Sequence, residues 1–340
     1  MSAKQYISFL LITLLAFLSH DINAQDVHFS QFYNNALYLN PANTGLIDRG
    51  ELRFTGLQRT QWKSVSKPFN SFNVSGDIEG PFKKENLGLG LSLMNDMAGD
   101  SRFRTFSVQG LVASGLQIGD SDQHIRGGIQ IGFTQKSIDD RDLKYDAQYN
   151  GSLYDPSAST MEPGAFNKVS HLDLAMGLAY IKSSSDRNYT KIGFSLFNVT
   201  NPDVSFQNNS SIKLDPRFNA HAELSFGLSD DLDLVPAVQF MKQGTYSELL
   251  LGTRFRYVLR DDVMALRSLY VGAFGRLQDA AYLQVGMDYD QWTVGLSYDF
   301  NLSSLEVASR NRGGLEIAVI YVVDLFREVR APHRKCPVYL

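Results

Sequence analysis

Between Gln291 and Phe300 the chain alternates without a break: Trp292, Val294, Leu296, Tyr298 and Phe300 against Thr293, Gly295, Ser297 and Asp299. Successive side chains of a strand point to opposite faces, so this stretch has one apolar face with aromatic ends and one small, polar face. The distance from Trp292 to Phe300 is roughly 26 Å at the rise of a strand. At the usual barrel tilt this gives a height of about 20 Å, near that of the apolar band an outer-membrane barrel turns to lipid. A half-buried strand of a soluble sandwich shows the same alternation, so the choice rests on the remaining chain.

The chain holds 340 residues, enough for one large all-β unit or two ordinary domains. Lys4, the apolar run Ile7–Leu18 and Ile22-Asn23-Ala24 have the form of a secretory signal peptide over residues 1–24, cut ahead of Gln25. That run is too short to span a bilayer as a helix, and no later segment approaches the ~20 apolar residues such a helix needs. Alternating strands average to a neutral hydropathy, so a membrane barrel remains open. Cys336 is the one cysteine, which excludes an internal disulfide. A formal net charge of −4 gives no reason to expect nucleic-acid binding.

Residues 25–50 do not alternate. Gln31–Leu39 is expected to make a short helix that stops at Asn40-Pro41, because the residue before a proline is biased away from the α region. From Glu51 onward period-two runs alternate with turn signals, and they read as about fourteen strands. These lie near 51–59, 69–78, 87–97, 103–117, 124–135, 171–183, 189–200, 217–228, 232–242, 246–260, 268–277, 281–289, 291–300 and 314–325. Leu172, Leu174, Met176, Leu178 and Tyr180, for example, face away from Asp173, Ala175, Gly177 and Ala179.

The connections decide between sandwich and barrel. The long ones, near Lys136–Ser170, Asn201–Pro216 and Asn301–Gly313, are all odd-numbered in strand order, so they gather at one end. Outer-membrane barrels have this asymmetry of long external loops and short periplasmic turns. An even strand count also lets the first and last strands pair antiparallel, leaving no edge for lipid to meet. The expected fold is therefore all-β, a transmembrane antiparallel outer-membrane β-barrel over residues 51–326. A short segment, 25–50, would lie in its lumen as a plug or in the periplasm. A basic tail, 327–340, would follow in the periplasm. The wall would be in contact with outer-membrane lipid.

No catalytic, cofactor or metal site is read from the residues. Asp139, Asp140 and Asp142 lack the spacing of a calcium loop. The histidines have no metal-ligand spacing, and His221 beside Glu223 reads as a hydrogen-bonding group of the lumen. Gly295-Leu296-Ser297 sits inside a strand rather than at a nucleophile elbow, so an enzyme is not expected. The polar faces hold Arg53, Arg126, Gln130, Asp173, Glu223, Gln239, Arg254, Arg276, Gln284, Asp288 and Glu316. They suit either a water-filled channel or a lumen crossed by charge pairs and partly filled by residues 26–50. On this facing, Leu296→Arg is expected to cost about 2–4 kcal/mol and Ser297→Arg much less.

Several motifs resemble the PorP/SprF proteins of the type IX secretion system of gliding and related Bacteroidetes-type bacteria. His28-Phe-Ser-Gln-Phe32, then Leu39-Asn-Pro-Ala42 and Gly45, are similar to that family's N-terminal signature, carried here by Phe29, Ser30, Gln31, Asn40, Pro41, Ala42 and Gly45. Gln58-Arg-Thr-Gln-Trp62 is similar to its first hairpin, with Gln61 and Trp62 in the matching places. Ser297–Leu305 and Gly313-Gly-Leu-Glu-Ile317, with Gly313, Gly314 and Glu316, resemble its last hairpin. Cys336-Pro337 resembles its terminal pair, although Val338 stands where an arginine is expected. The resemblance implies an accessory barrel that aids export, surface display or attachment of a large adhesin with a C-terminal targeting domain, together with other type IX secretion components. It implies no catalytic residue, and it makes the long loops the partner-contacting surface. The residues themselves leave a second reading, a diffusion channel for hydrophobic or small polar solutes.

Overall fold

The computed structural model describes residues 26–324 except 63–66, 84–85, 120–121, 140–142, 162–167, 186, 208, 263–264, 278 and 303–311. Fourteen strands form one closed barrel. They are β1 (Leu52–Gln61), β2 (Phe69–Glu79), β3 (Leu87–Ala98), β4 (Phe103–Gln117), β5 (Gln123–Ser137), β6 (Lys168–Ser185), β7 (Asn188–Phe197), β8 (Arg217–Gly227), β9 (Leu232–Gln243), β10 (Tyr246–Asp262), β11 (Ala265–Arg276), β12 (Ala280–Tyr289), β13 (Trp292–Asn301) and β14 (Arg312–Val323). Each strand pairs antiparallel with its neighbours in sequence, and β1 closes the ring on β14 through pairs such as Gln58↔Ile317. Closure satisfies every strand edge, which a wall facing hydrocarbon requires.

The strands match the expected ones within a few residues. β6 begins at Lys168 rather than 171 because its hairpin with β5 extends to the pair Ser137↔Lys168. β7 ends at Phe197 rather than 200 because Asn198 takes a left-handed φ of 55°. The segment before β1 differs more. In place of one helix over Gln31–Leu39 there are a 3-10 turn at Phe32–Asn34, a single α-helical turn at Ala36–Leu39 and a second 3-10 turn at Pro41–Asn43.

Burial follows the alternation, with the usual polarity of a folded chain reversed. Along β13 the residues Trp292, Leu296, Tyr298 and Phe300 are exposed, whereas Gly295, Ser297, Asp299 and Asn301 are buried. Elsewhere Leu172, Leu178, Leu283 and Val285 stand outside, while Arg59, Asn73, Asp77, Gln130 and Glu316 are enclosed. An apolar surface of this extent in water would drive association, but against lipid it is the stable arrangement. Aromatic pairs mark both ends of the β13 outer face. Trp292 lies 4.3 Å from Tyr321 in centroid distance at one end, and Tyr298 lies 5.1 Å from Phe300 at the other. Among the described residues no helix is long and apolar enough to cross a membrane.

The long connections, 138–167, 198–216 and 302–311, all leave from one end, which we call outer. The other end carries short turns such as 290–291. Phe206 of the 198–216 loop reaches across to Phe103 at the start of β4, edge-on at 6.2 Å, and so covers part of the outer mouth. A charge at Leu296, in mid-wall, is expected to cost about 2–4 kcal/mol. An arginine at Thr293, which faces the inner end of the lumen, is expected to cost far less. Unfolding of Leu296→Arg and Thr293→Arg in lipid vesicles checks the pair, and equal losses would mean that the facing is wrong.

Candidate functional site: a strap across the lumen

Residues 26–50 run through the barrel as a strap. Asp26 sits at the outer mouth, where its N–H donates to Gln243 Oε1 at 2.9 Å and its carboxylate accepts from Asn198 Nδ2 at 3.0 Å. At the other end Arg53, near the start of β1, donates to the carbonyls of Leu46 and Asn43. The strap therefore traverses the lumen from the outer mouth to the inner rim before β1 turns back along the wall. It has little regular structure of its own, so its backbone groups need partners from the wall.

The first anchor is Phe29-Ser30-Gln31. The N–H groups of Ser30 and Gln31 donate to the two oxygens of Glu316 on β14 at 2.7 and 2.8 Å. Ser30 Oγ donates to Asp299 on β13 at 2.9 Å and accepts from Arg276 on β11, and the Ser30 carbonyl accepts from Tyr282 OH at 2.5 Å. Gln31 Nε2 donates to Ser297 Oγ at 3.3 Å and to the Glu316 carbonyl. Arg59 on β1 binds Asp299 at 2.7 Å, donates to the His28 carbonyl at 2.6 Å, and lies 3.9 Å from Glu316. Phe29 is buried with Leu57 and Ala318, and meets Tyr38 edge-on at 5.5 Å. With its oxygen turned inward, the Gln61 amide accepts from Arg59. Glycine is required beside it, because a Cβ on Gly313 would lie 2.2 Å from the Asp299 carbonyl oxygen and one on Gly314 would lie 2.9 Å from Gln61 Cγ. Trp62 lies just beyond β1, half-buried, with a left-handed φ of 61°.

The centre of the cluster at this anchor is enclosed. The side chains of Arg59, Glu316 and Arg276 are each 1% exposed, and Arg276 also reaches Glu248 at 3.5 Å and Asp279 at 2.9 Å. Enclosed charges are tolerable only when pairs and further hydrogen bonds replace their water. Here part of that replacement comes from the strap, through the two backbone N–H groups on Glu316 and the Ser30 hydroxyl on Asp299.

The second anchor is Asn40-Pro41-Ala42 with Gly45, against the opposite wall. Asn40 Oδ1 accepts from the Ala42 N–H at 2.9 Å, while its Nδ2 donates to the Leu178 and Phe194 carbonyls on β6 and β7. Three wall glycines make room. A Cβ on Gly128 would lie 2.4 Å from the Pro41 carbonyl, one on Gly177 would lie 1.9 Å from Asn40 Oδ1, and one on Gly193 would lie 2.6 Å from Asn40 Nδ2. Arg126 on β5 donates to the carbonyls of Ala42 and Thr44, and the Gly45 N–H donates to Asp77 on β2. Gly45 has a φ of 68° and packs on Gly88, where a Cβ would lie 2.5 Å from the neighbouring Cα.

The residues singled out in the sequence thus fall into two groups that meet the same strap. Phe29, Ser30, Gln31, Gln61, Gly313, Gly314 and Glu316 converge at the first anchor, and Asn40, Pro41, Ala42 and Gly45 form the second. Cys336, Pro337, Asp140 and Asp142 lie outside the described residues, as do the expected signal peptide and tail. Sequence reading passed over Arg59, Asp299 and Tyr282 as partners, and over the glycines at 128, 177 and 193. On the inner face of β13, Ser297 is 1% exposed and occupied by Gln31. An arginine at Ser297 would strike the strap, so the small cost expected there does not hold.

Below the strap the lumen widens into a cavity of about 380 Å³ at the inner end. Its polar side includes the Glu223–Arg254 pair at 2.6 Å, with Arg254 stacked 3.8 Å over Tyr33, and Lys191 bound to Asp48 at 2.8 Å. His221 also lines it, and its Nδ1 has no hydrogen-bond partner. Among the described residues no group of three or more His, Cys, Asp and Glu is placed to hold a metal ion. Chemically, the arrangement neutralises buried charge and holds a strap.

Comparison with solved structures gives similar barrels. The toluene transporter TbuX of Ralstonia pickettii matches with a TM-score of 0.50 at 10% identity, over 84% of this chain and 92% of that one. A TodX deltaS2S3 mutant, a monoaromatic hydrocarbon channel, matches with a TM-score of 0.50 at 10% identity, over 84% and 93%. At such identities the likeness shows the fold alone, an outer-membrane barrel. Comparison with curated protein sequences gives no match. The profile of the type IX secretion system membrane proteins PorP/SprF matches residues 22–321, a span that takes in both strap anchors and nearly all of the wall. The chain belongs to the PorP/SprF family of type IX secretion system membrane proteins.

Proposed function

We propose that this protein is an accessory outer-membrane barrel of type IX secretion that aids the export, surface display or attachment of a large adhesin carrying a C-terminal targeting domain. The observation that carries the reading is the strap. A lumen tied across at two anchors is built to stay closed, so the barrel offers its outer loops rather than its bore. The 143–161 stretch supports this role, being folded on itself through the Tyr149↔Tyr154 bridge and the bond from Gln148 Nε2 to the Ala158 carbonyl. Loops on a rigid wall are where contacts of this kind are usually made. The protein acts without a catalytic step or cofactor, with an adhesin and other secretion components as partners and with no nucleic acid.

In a strain lacking the gene, the adhesin is expected to be lost from the cell surface and restored by the intact chain. A chain with residues 150–160 replaced by a Gly-Ser linker should assemble in the outer membrane without restoring it. Normal display in the deletion strain would overturn the reading. A second reading, a channel for hydrophobic or small polar solutes, is supported by the inner cavity and by the fold shared with solute-conducting barrels. Uptake into liposomes by the wild-type protein would favour it, and a sealed barrel would remove it.

A further inference from the structure

The outward face of β1, β2 and β3 is indented near the inner end by a groove of about 450 Å³. Its sides include Leu52, Phe54, Val74, Ile78, Leu91 and Leu93, all on the face that the barrel turns to lipid. Gly76 leaves the space. Register places Phe54, Gly76 and Leu91 side by side across the three strands, so the middle of that row has no side chain. A Cβ on Gly76 would lie 3.3 Å from the Phe54 ring, which borders the gap on one side.

The groove has a definite length. From Ile78 to Val74 is four residues, about 13 Å of strand and about 10 Å of height at the usual tilt. That is a little under half of the ~25 Å apolar band, close to one leaflet. The next outward residue of β2, Phe72, is 45% exposed and no longer lines the groove, which therefore ends at mid-wall. At the inner end, the turn from β2 to β3 carries Phe82, 82% exposed and held at a left-handed φ of 62°. A bulky residue rarely takes that conformation. Here it sets an aromatic ring just beyond the apolar band, at the level where aromatic side chains gather on membrane proteins.

These dimensions select the occupant. A helix or strand of another protein crosses the whole band and would meet Phe72, whereas an acyl chain ends near the midplane, as the groove does. Apolar surfaces in hydrocarbon are held together by van der Waals fit, and a flexible chain can follow the notch at Gly76. We propose that the groove is a binding site for one phospholipid of the inner-end leaflet. An acyl chain lies over Gly76 between Phe54 and Leu91, and the headgroup lies beside Phe82. On the lumen face of the same strands, Asp77 binds Arg53 and accepts from the Gly45 N–H of the strap. The lipid thus backs the wall where the strap reaches its inner end. This inference depends on the outer-membrane placement of the barrel and is separate from the choice of outer partner.

Native mass spectrometry of the full-length protein, extracted from outer membranes and washed in detergent, tests the site. The parent is expected to keep one phospholipid. Gly76→Leu fills the notch and Val74→Phe fills its mid-wall end. Both are apolar changes on the lipid face, so the folded gel mobility should be unchanged while occupancy falls about tenfold or more, as overpacking a fitted site would give. Gly127→Leu, at an outward glycine of β5, should keep the lipid. A parent that retains no phospholipid would overturn the proposal, as would equal occupancy in the parent and both groove variants. A parent recovered as a dimer that the two groove variants dissociate would also overturn it, since a second copy would then cover the groove.

Discussion

Alanine at Glu316 is expected to release the strap from its first anchor and to cost the barrel about 3–5 kcal/mol, the usual loss when one partner of a buried charge network is removed. Three groups lose their acceptor together. The Ser30 and Gln31 N–H groups are left without one, and Arg59 keeps Asp299 but loses its second carboxylate. No water-filled space adjoins them to compensate, since Ser30 and Gln31 are both fully buried. Glu316→Gln retains one oxygen as an acceptor but sets an amide N–H₂ against the other donor. Its loss should be smaller, about 1–3 kcal/mol. Thermal unfolding of the purified barrel in detergent, followed by its loss of the folded gel mobility, checks both. A Glu316→Ala barrel as stable as the parent would show that the carboxylate does not bear on the strap.

Leucine at Gly128 should have the second large effect, by expelling the strap from the opposite wall. Even the first added carbon would meet Pro41 backbone at 2.4 Å, and backbone held by its own hydrogen bonds cannot swing aside as a side chain can. Overpacking of this kind costs about 1–3 kcal/mol where the site can relax, and here relaxation means that Asn40-Pro41-Ala42 leaves the wall. The neighbouring residue provides the control. Gly127 faces outward, where a Cβ would meet only Leu178 Cδ2 at 3.8 Å, so Gly127→Leu should be nearly neutral. In planar bilayers Gly128→Leu should pass current where the parent and Gly127→Leu stay silent. Silence in all three, with assembled barrels, would mean that the lumen is not closed at this anchor.

Much of the wall could be read directly from the residues, because each strand carries its own signal. Trp292 to Phe300 declares an apolar face and a small, polar face by alternation alone, and the barrel turns the first outward and the second to the lumen. The sorting of long connections to one end was likewise visible in the order of the turns. The strap was not. Its expected helix over Gln31–Leu39 fails because partners outside the segment claim its polar groups. Glu316 takes the N–H groups of Ser30 and Gln31, and Asn35 adopts φ −113°, ψ 64°, away from helical values. Local propensity cannot register an acceptor some 285 residues distant in the chain.

The motifs at the two ends of the chain had no visible reason to belong together. Closure supplies that reason, since Arg59 and Glu316 become direct cross-strand partners and Ser297 pairs with Glu316 on the other side. The glycines were a partial signal. Gly128 and Gly177 face each other across β5 and β6, and glycine inside a strand suggests a close approach. Nothing local says what approaches, and the answer, Asn40-Pro41, lies far back in the chain.

Hydrogen exchange of the amides in residues 26–47, measured on the intact protein in lipid nanodiscs, tests the strap most directly. Isolated turns of three or four residues exchange within moments, whereas an enclosed amide bonded to a buried acceptor opens only with the structure around it. The Ser30, Gln31, Ala42 and Gly45 amides should therefore exchange as slowly as those of β13 and β14. Glu316→Ala should free the first two and leave the last two protected. Rapid exchange across 26–47 in the unaltered protein, with the strands still protected, would contradict the account.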